Sequence, residues 1–262
     1  MSDPVIIVEE TEAGGSRRSQ KPVRAGSSSA FRAALDRFPR AICVAEATPV
    51  IQWVADLDLS SKTPHGLLLL GGADAPERAV LRAVFDRVYV SDKEMRFLGR
   101  KELVDVVTSS DRDWLFIGAA PAPLLKALVL VRGNLQSLIV PFSWFTPRPN
   151  GPKPDFSDVE IIDSGQTLRL GEYEAGADAV LYELDPEFRR AQRKRAVAED
   201  TSFGGSLRRL RLQRGLGRDA FPGIAAKTIA RIERGEIKKP HASTIAVIAR
   251  KLGVSPGEIS TY

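Results

Sequence analysis

Three glycines cut the last sixty or so residues into short helical pieces, and no other feature of the sequence constrains the fold as tightly. Each sits where a helical segment with apolar residues on one side stops. Leu207, Leu210 and Leu216 form the first stripe, in SLRRLRLQRGL, with Gly215 as its terminator. Ile229 and Ile232 form the next, in AAKTIARIERG (225–235), ended by Gly235. Ile245, Ile248 and Leu252 form the third, in HASTIAVIARKLG (241–253), ended by Gly253. Between the first two stripes, RDAFPG holds Pro222 and Gly223, which do not continue a helix comfortably, so a brief helical turn and then a tight turn are expected. Ser255-Pro256-Gly257-Glu258 reads as a capping box that opens a last helix. Residues 204–262 are therefore predicted to be a compact, all-α domain of five short helices.

The charge distribution sets this tail apart. From Asp185 to Tyr262 there are 17 Lys and Arg against 8 Asp and Glu, a balance of +9. The rest of the chain holds 21 basic and 25 acidic residues, a balance of −4. A basic third on a mildly acidic body points to a polyanion-binding module attached to something else.

The same residues carry a family resemblance. LRRLRLQRGL, IARIERGE, KKP and IARKLGVSPGEI, in that order over about 207–259, resemble the lambda-repressor/Cro-like helix-turn-helix regulators of bacteria, often called XRE-type. The resemblance implies that Arg211 pairs with Glu233 as a structural ion pair. It implies that Arg218 approaches phosphate, and that Ala226, Lys227 and Thr228 enter the major groove with Arg231 one turn on. Lys227 and Arg231 would donate to guanine, and Ala226 or the Thr228 methyl would meet a thymine methyl. Arg234, Lys238, Lys239 and His241 surround the following loop and would contact phosphates, which position without specifying. The chain departs from the family pattern between Leu216 and Ile229, where it is about three residues shorter and Phe221-Pro222-Gly223 replaces the usual end of the second helix.

The front of the chain reads differently. Residues 1–30 mix Gly, Ser, Arg and Glu without an apolar period and are expected to be a disordered tail. Residues 31–119 alternate strand-like and helix-like segments. AICVAE (41–46), GLLLLGG (66–72), RVYVS (87–91) and DWLFIGA (113–119) are predicted strands. TPVIQWVADL, DAPERAVLRAVF (74–85) and GRKELVDVVTSS are predicted helices, the second capped by Asp74 with Pro76 in its first turn. That order defines a mixed α/β body. Residues 120–184 are read as a small β-rich domain: a hairpin about Arg132-Gly133-Asn134, a Pro-rich loop PRPNGPKPD (147–155), and two strands about Ser164-Gly165. VRGNLQSLIVPFSWF resembles a small bacterial domain of unknown function with a VPxSWF-like strand end, one sometimes fused to an XRE-type helix-turn-helix. Trp144 and Phe145 are then core aromatics, with ligand stacking as the sharper alternative. Asp185-Pro186-Glu187 starts a basic linker helix over 185–203.

Several functions have no support in the residues. Cys43 is the single cysteine, and only His65 and His241 offer imidazole, so neither a zinc enzyme nor a serine–histidine hydrolase has a motif. GGADAPER (71–78) follows a strand, but Asp74 and Glu77 would repel phosphate at that helix start. Asp56, Asp58, Asp111 and Asp113 have no metal-ligand spacing. No stretch approaches the roughly 20 apolar residues of a membrane helix, and the acidic start MSDPVIIVEETEAGG does not read as a signal peptide. The expectation is a cytoplasmic, nucleoid-associated transcriptional regulator, a repressor or autoregulator that reads the major groove with helix 225–235, without enzymatic activity or cofactor, binding an inverted-repeat operator as a homodimer. Residues 31–184 would serve dimerisation, a protein partner or sensing. Two alternatives stand beside it: the DNA-binding antitoxin of a toxin–antitoxin pair, and an enzyme or ligand-sensing α/β domain fused to a DNA-binding tail. The enzyme would need a pocket of ionisable groups near Ala45–Glu46, Gly71–Asp74 or Val90–Asp92.

Overall fold

The structure, a computed structural model, describes residues 3–8, 22–55, 62–93 and 95–261, and divides the chain into two compact units, Met1–Asp185 and Pro186–Tyr262. Asp56 and Asp58 lie outside the described residues, as does half of the expected tail.

The first unit is built on a five-stranded parallel sheet. Its strands are β1 (Val5–Val8), β2 (Val23–Ala25), β3 (Ile42–Ala45), β4 (Thr63–Leu69) and β5 (Phe85–Val90), in the order β2-β1-β3-β4-β5. Helices α1 (Ser28–Arg37), α2 (Ala47–Val54) and α3 (Ala75–Val84) are the crossovers between successive parallel strands from β2 onward. One sheet face, with Ile6, Val8, Cys43, Ala45, Leu67 and Leu69, packs on Phe31, Leu35, Val50, Leu81 and Val84 of these helices. The other face presents Val5, Ile7, Ile42, Val44 and Leu68. Against it lie Leu103, Val106 and Val107 of α4 (Arg100–Thr108), with Ile117 of β7 (Phe116–Ala122) and Val131 of β8 (Ala127–Arg132). With both faces covered, a parallel strand is apolar throughout rather than alternating.

That rule overturns two expectations. Val5–Val8 is buried at every position and pairs with β2 on one side and β3 on the other, so it is an interior strand and not part of a disordered tail. The boundary between 31–119 and 120–184 falls inside β7, and Ile117, Val131 and Leu135 share one core with the parallel sheet. The α/β body and the β-rich segment are one unit.

β7 and β8 continue into an antiparallel sheet, β6-β7-β8-β9, with β6 at Arg96–Phe97 and β9 at Ser137–Pro141. The β8–β9 turn shows why its sequence is unusual. The positive φ falls on Leu135 (62°), not on the glycine. Leu135 is buried against Gly66, where a β-carbon would lie 2.2 Å from Leu135 Cδ1, and its carbonyl accepts from Tyr89 Oη and Arg87 Nη1, both at 3.2 Å. Gly133 is needed for close approach: a β-carbon there would sit 2.8 Å from Arg112 Cβ. Three strands, not two, follow the Pro-rich loop: β10 (Val159–Ile162), β11 (Thr167–Leu170) and β12 (Tyr173–Gly176), closed by α5 (Ala177–Leu184). The VPFSWF aromatics pack within this layer. Phe145 is buried, edge-on to Trp144 at 5.0 Å, and it meets Phe156 at 5.6 Å and Tyr173 at 6.3 Å.

The second unit contains α6 (Pro186–Glu199), α7 (Phe203–Gln213), a single 3-10 turn at Arg218–Ala220, α8 (Ala226–Glu233), α9 (Ala242–Leu252) and a last 3-10 turn at Glu258–Thr261. Leu207, Leu210, Phe221, Ile229, Ile232, Ile248, Ala249, Leu252 and Ile259 form its core. Ser202 caps α7, its hydroxyl accepting from the Gly205 amide at 3.1 Å. Gly204 lets α7 approach α8, since a β-carbon there would fall 2.2 Å from the Ile232 carbonyl oxygen. The expected linker helix is fastened to this unit. Arg209 Nη1 donates to the carbonyls of Asp200 (2.5 Å) and Ala198 (3.3 Å), and Nη2 donates to Ser206 Oγ (3.1 Å).

Candidate nucleic-acid interface

The second helix of a helix-turn-helix is reduced here to the Arg218–Ala220 turn. A tight turn follows, with the Ile224 amide donating to the Phe221 carbonyl at 3.2 Å and Gly223 at φ 70°. Pro222 fits the position before such a glycine because its ring fixes φ near the value required. The turn delivers the chain directly into α8.

α8 is amphipathic over its full length. Ile229, Ile232 and Glu233 are buried, whereas Ala226, Lys227, Arg231 and Arg234 are exposed. Lys227, Arg231 and Arg234 are four and three residues apart and share one face. Arg234 is the C-cap residue of α8 and stands where the helix passes into the following loop. Thr228 is half-buried at the edge of that face. Ala225, the N-cap residue, has no side-chain acceptor, so the first amides of α8 lack a side-chain cap. Lys238, Lys239 and His241 are exposed on the loop leading to α9.

The buried face is held by charge. Arg211 Nε and Nη2 donate to Glu233 Oε1 (2.5 Å) and Oε2 (3.2 Å), and Arg211 Nη1 donates to the Leu216 carbonyl (2.7 Å). Arg218, expected at phosphate, gives its Nε to Glu233 Oε2 at 2.8 Å. The Glu233 side chain is 1 % exposed and that of Arg211 7 %, while Arg218 at 42 % bridges core and surface. Burial alone would push the Glu233 carboxyl up. The hydrogen bonds and charges of Arg211 and Arg218 outweigh it and hold the carboxyl below its ordinary range.

The end of α8 contains a feature that sequence reasoning missed. Gly235 takes φ 72°, its amide donates to Ile232 O (2.9 Å), and the Glu236 amide donates to Arg231 O (3.0 Å). This is a Schellman stop, which brings the residue after the glycine beside the one five positions earlier. The pair so juxtaposed is ionic. Glu236 Oε2 accepts from Arg231 Nε at 3.2 Å, and Oε1 accepts from Arg234 Nε at 2.6 Å. The hydrogen bond and charge of Arg234, joined by those of Arg231, keep the Glu236 carboxyl below its usual range. A Glu two residues beyond one exposed Arg and five beyond another, across a glycine stop, is the pattern that would have revealed it.

In the first unit the described acids near the strand ends are engaged. Asp74 and Glu77 form a capping box on α3, Glu46 pairs with Arg100 at 3.1 Å, and Arg78 pairs with Asp92 at 2.7 Å. A polar cleft of about 340 Å³ opens at the opposite end, beside the strand starts, and is lined by Arg40, Ile42, Arg87, Arg112, Asp113 and Gln136 among others. Arg112 is tied down there, Nη1 donating to the carbonyls of Asp3 (2.7 Å) and Val107 (3.2 Å). Cys43 is fully buried, and burial pushes its thiol pKa up, which makes it a packing residue and not a nucleophile. Among the described residues no group of His, Cys, Asp and Glu is arranged to hold a metal ion, and no helix is long and apolar enough to cross a membrane.

Comparison with known families agrees with this geometry. Residues 202–261 match the helix-turn-helix domain family, a match over less than a quarter of the chain. Neither the curated proteins nor the solved structures gave a match to this chain. The C-terminal residues are a helix-turn-helix DNA-binding domain.

Proposed function

We propose that the protein is a sequence-specific, non-enzymatic transcriptional regulator of the XRE type that binds operator DNA in the cytoplasm. The observation that carries this reading is α8: an amphipathic helix of a helix-turn-helix domain, buried on Ile229 and Ile232 and presenting Lys227, Arg231 and Arg234 on one open face. Ala226, Lys227, Thr228 and Arg231 read base edges, and Arg218, Lys238, Lys239 and His241 grip the backbone. Two copies bind an inverted repeat, because a second half-site multiplies specificity. The first unit serves as a partner-binding or sensing body, and a polar cleft opens beside its strand starts.

Titration of the protein onto a duplex from upstream of its own gene, against a random duplex of equal length, tests this directly. Binding must weaken steeply with salt. Arg231→Glu or Lys227→Glu is expected to remove discrimination, roughly 10-fold or more for each lost base contact. Lys238→Ala is expected to weaken binding to both duplexes alike. Salt-insensitive or absent binding overturns the reading.

Glu236 gives a finer prediction. It occupies the Nε of both Arg231 and Arg234 and places a negative charge beside an anionic ligand. Glu236→Gln is therefore expected to tighten binding to any duplex, roughly three- to tenfold at low salt. Weaker binding with lost discrimination would show instead that the carboxylate holds Arg231 in its reading position.

A further inference from the structure

The α6 helix is more basic than its place between two units requires. Arg189, Arg190, Arg193, Lys194 and Arg195 fall within seven residues. Arg190, Arg193 and Lys194 are exposed and Arg189 is half-buried. Arg195 Nε reaches Glu199 at 4.0 Å, but among the described residues the other four have no ion-pair partner. At about 100° per residue, Arg189, Arg193, Arg190 and Lys194 fall within an arc of roughly 140°, and buried Phe188 lies outside it. Arg189–Arg193 and Arg190–Lys194 are like-charge pairs at i,i+4, an arrangement that weakens a helix unless a counter-charge lies along it.

The surroundings of α6 indicate what supplies that counter-charge. It belongs to the same compact unit as the helix-turn-helix. Arg209 of α7 clasps the carbonyls of Ala198 and Asp200 at its end. Asp200 also lies against Gly205, and the adjacent Gly204 lies against the Ile232 carbonyl near the end of α8. The end of α6 thus joins the domain close to the end of the recognition helix, where Arg231 and Arg234 are exposed. Fourteen residues of helix extend about 21 Å, the rise of roughly six base pairs.

We propose that α6 is a second DNA-contacting element, lying along the phosphate backbone beside the site read by α8. The proposal rests on the DNA-binding reading above and adds phosphates, not bases, to the footprint. Arg189, Arg190, Arg193 and Lys194 neutralise two to four phosphates and release the counterions condensed there. The binding constant then falls more steeply with salt than the helix-turn-helix alone would make it, by a slope of about 0.9 for each phosphate contacted.

The test uses the full chain with all four residues changed to alanine, titrated from about 50 to 200 mM salt onto the upstream and random duplexes. The expected result is a salt slope smaller by about 2–4 on both duplexes, with affinity down roughly 10- to 100-fold and their ratio unchanged. A companion variant with lysine at Arg189, Arg190 and Arg193 keeps the charge and is expected to keep the wild-type slope. Far-UV circular dichroism and thermal melting confirm that both remain folded. If the alanine variant retains the wild-type slope while Arg231→Glu loses discrimination, α6 lies off the DNA and the proposal falls, with the DNA-binding reading intact. If the wild type binds neither duplex, both fall.

Discussion

Alanine in place of Glu233 is expected to cost the C-terminal unit about 3–5 kcal/mol. The two arginines that meet this carboxylate differ in their exposure. Arg211 lies in the core, so removing Glu233 leaves a guanidinium there with only the Leu216 carbonyl as a partner. Arg218, exposed over 42 % of its side chain, can turn to solvent. A unit of this size is stable by roughly 4–12 kcal/mol, so the loss takes a large part of it. Denaturant unfolding of the full chain reads this as an early transition of the C-terminal unit, with the first unit's transition unmoved. Arg211→Ala should match it, and Arg218→Ala should cost far less. Replacing Arg211 and Glu233 together by Met and Leu should recover most of the stability, because a buried pair exchanged for apolar residues is often neutral. The pH dependence has a definite sign. The folded-state carboxyl is held below its unfolded value, so its contribution is complete above the ordinary carboxylate range and is lost as pH falls through the depressed value. Glu233→Gln removes that part of the acid transition. A transition within about 0.5 kcal/mol of wild type in Glu233→Ala would refute the structural role of this pair.

The second unit was legible in the sequence because its information is local. Gly215, Gly235 and Gly253 are all found in the left-handed region, two positions past α7 and α8 and one past α9, and Ile229, Ile232, Ile248 and Leu252 are buried. The pairing of Arg211 with Glu233 spans 22 residues, and only the family resemblance pointed to it. Glu236 was invisible for a different reason. Residues five apart do not meet on a continuous helix, and Glu236 reaches Arg231 only because Gly235 reverses the chain. In the first unit the strands and helices between Ile42 and Val90 were readable, but their assembly was not. Nothing near Ile117, Val131 or Leu135 signals that they cover the far face of a sheet whose strands begin more than a hundred residues earlier. The reversed geometry of the β8–β9 turn has the same origin, since Leu135 takes the positive φ in order to fill the space that Gly66 leaves.

The segment read least well, Val5–Val8, provides the second large expected effect. Four apolar residues in a row inside an otherwise polar stretch have no alternation, and short runs flanked by Gly, Ser and charged residues look like tail. An interior parallel strand has that appearance because both of its faces are buried. Ile6 is fully buried beside Cys43 of β3, facing α1–α3, and Ile7 is buried on the opposite face with Leu103 and Val106 of α4. Ile6→Ala and Ile7→Ala are each expected to destabilise the first unit by about 2–5 kcal/mol through the cavity left behind. Ile6→Asp places a carboxylate with no partner in the same core and should prevent that unit from folding. The measurement is the denaturant midpoint of the first unit, with the helix-turn-helix transition as the internal reference. A disordered tail would tolerate all three changes without effect, and unchanged midpoints would remove β1 from the sheet. Loss of the first unit's transition in Ile6→Asp, with DNA binding by the second unit reduced only to the level of a single unpaired copy, would also assign dimerisation to the first unit.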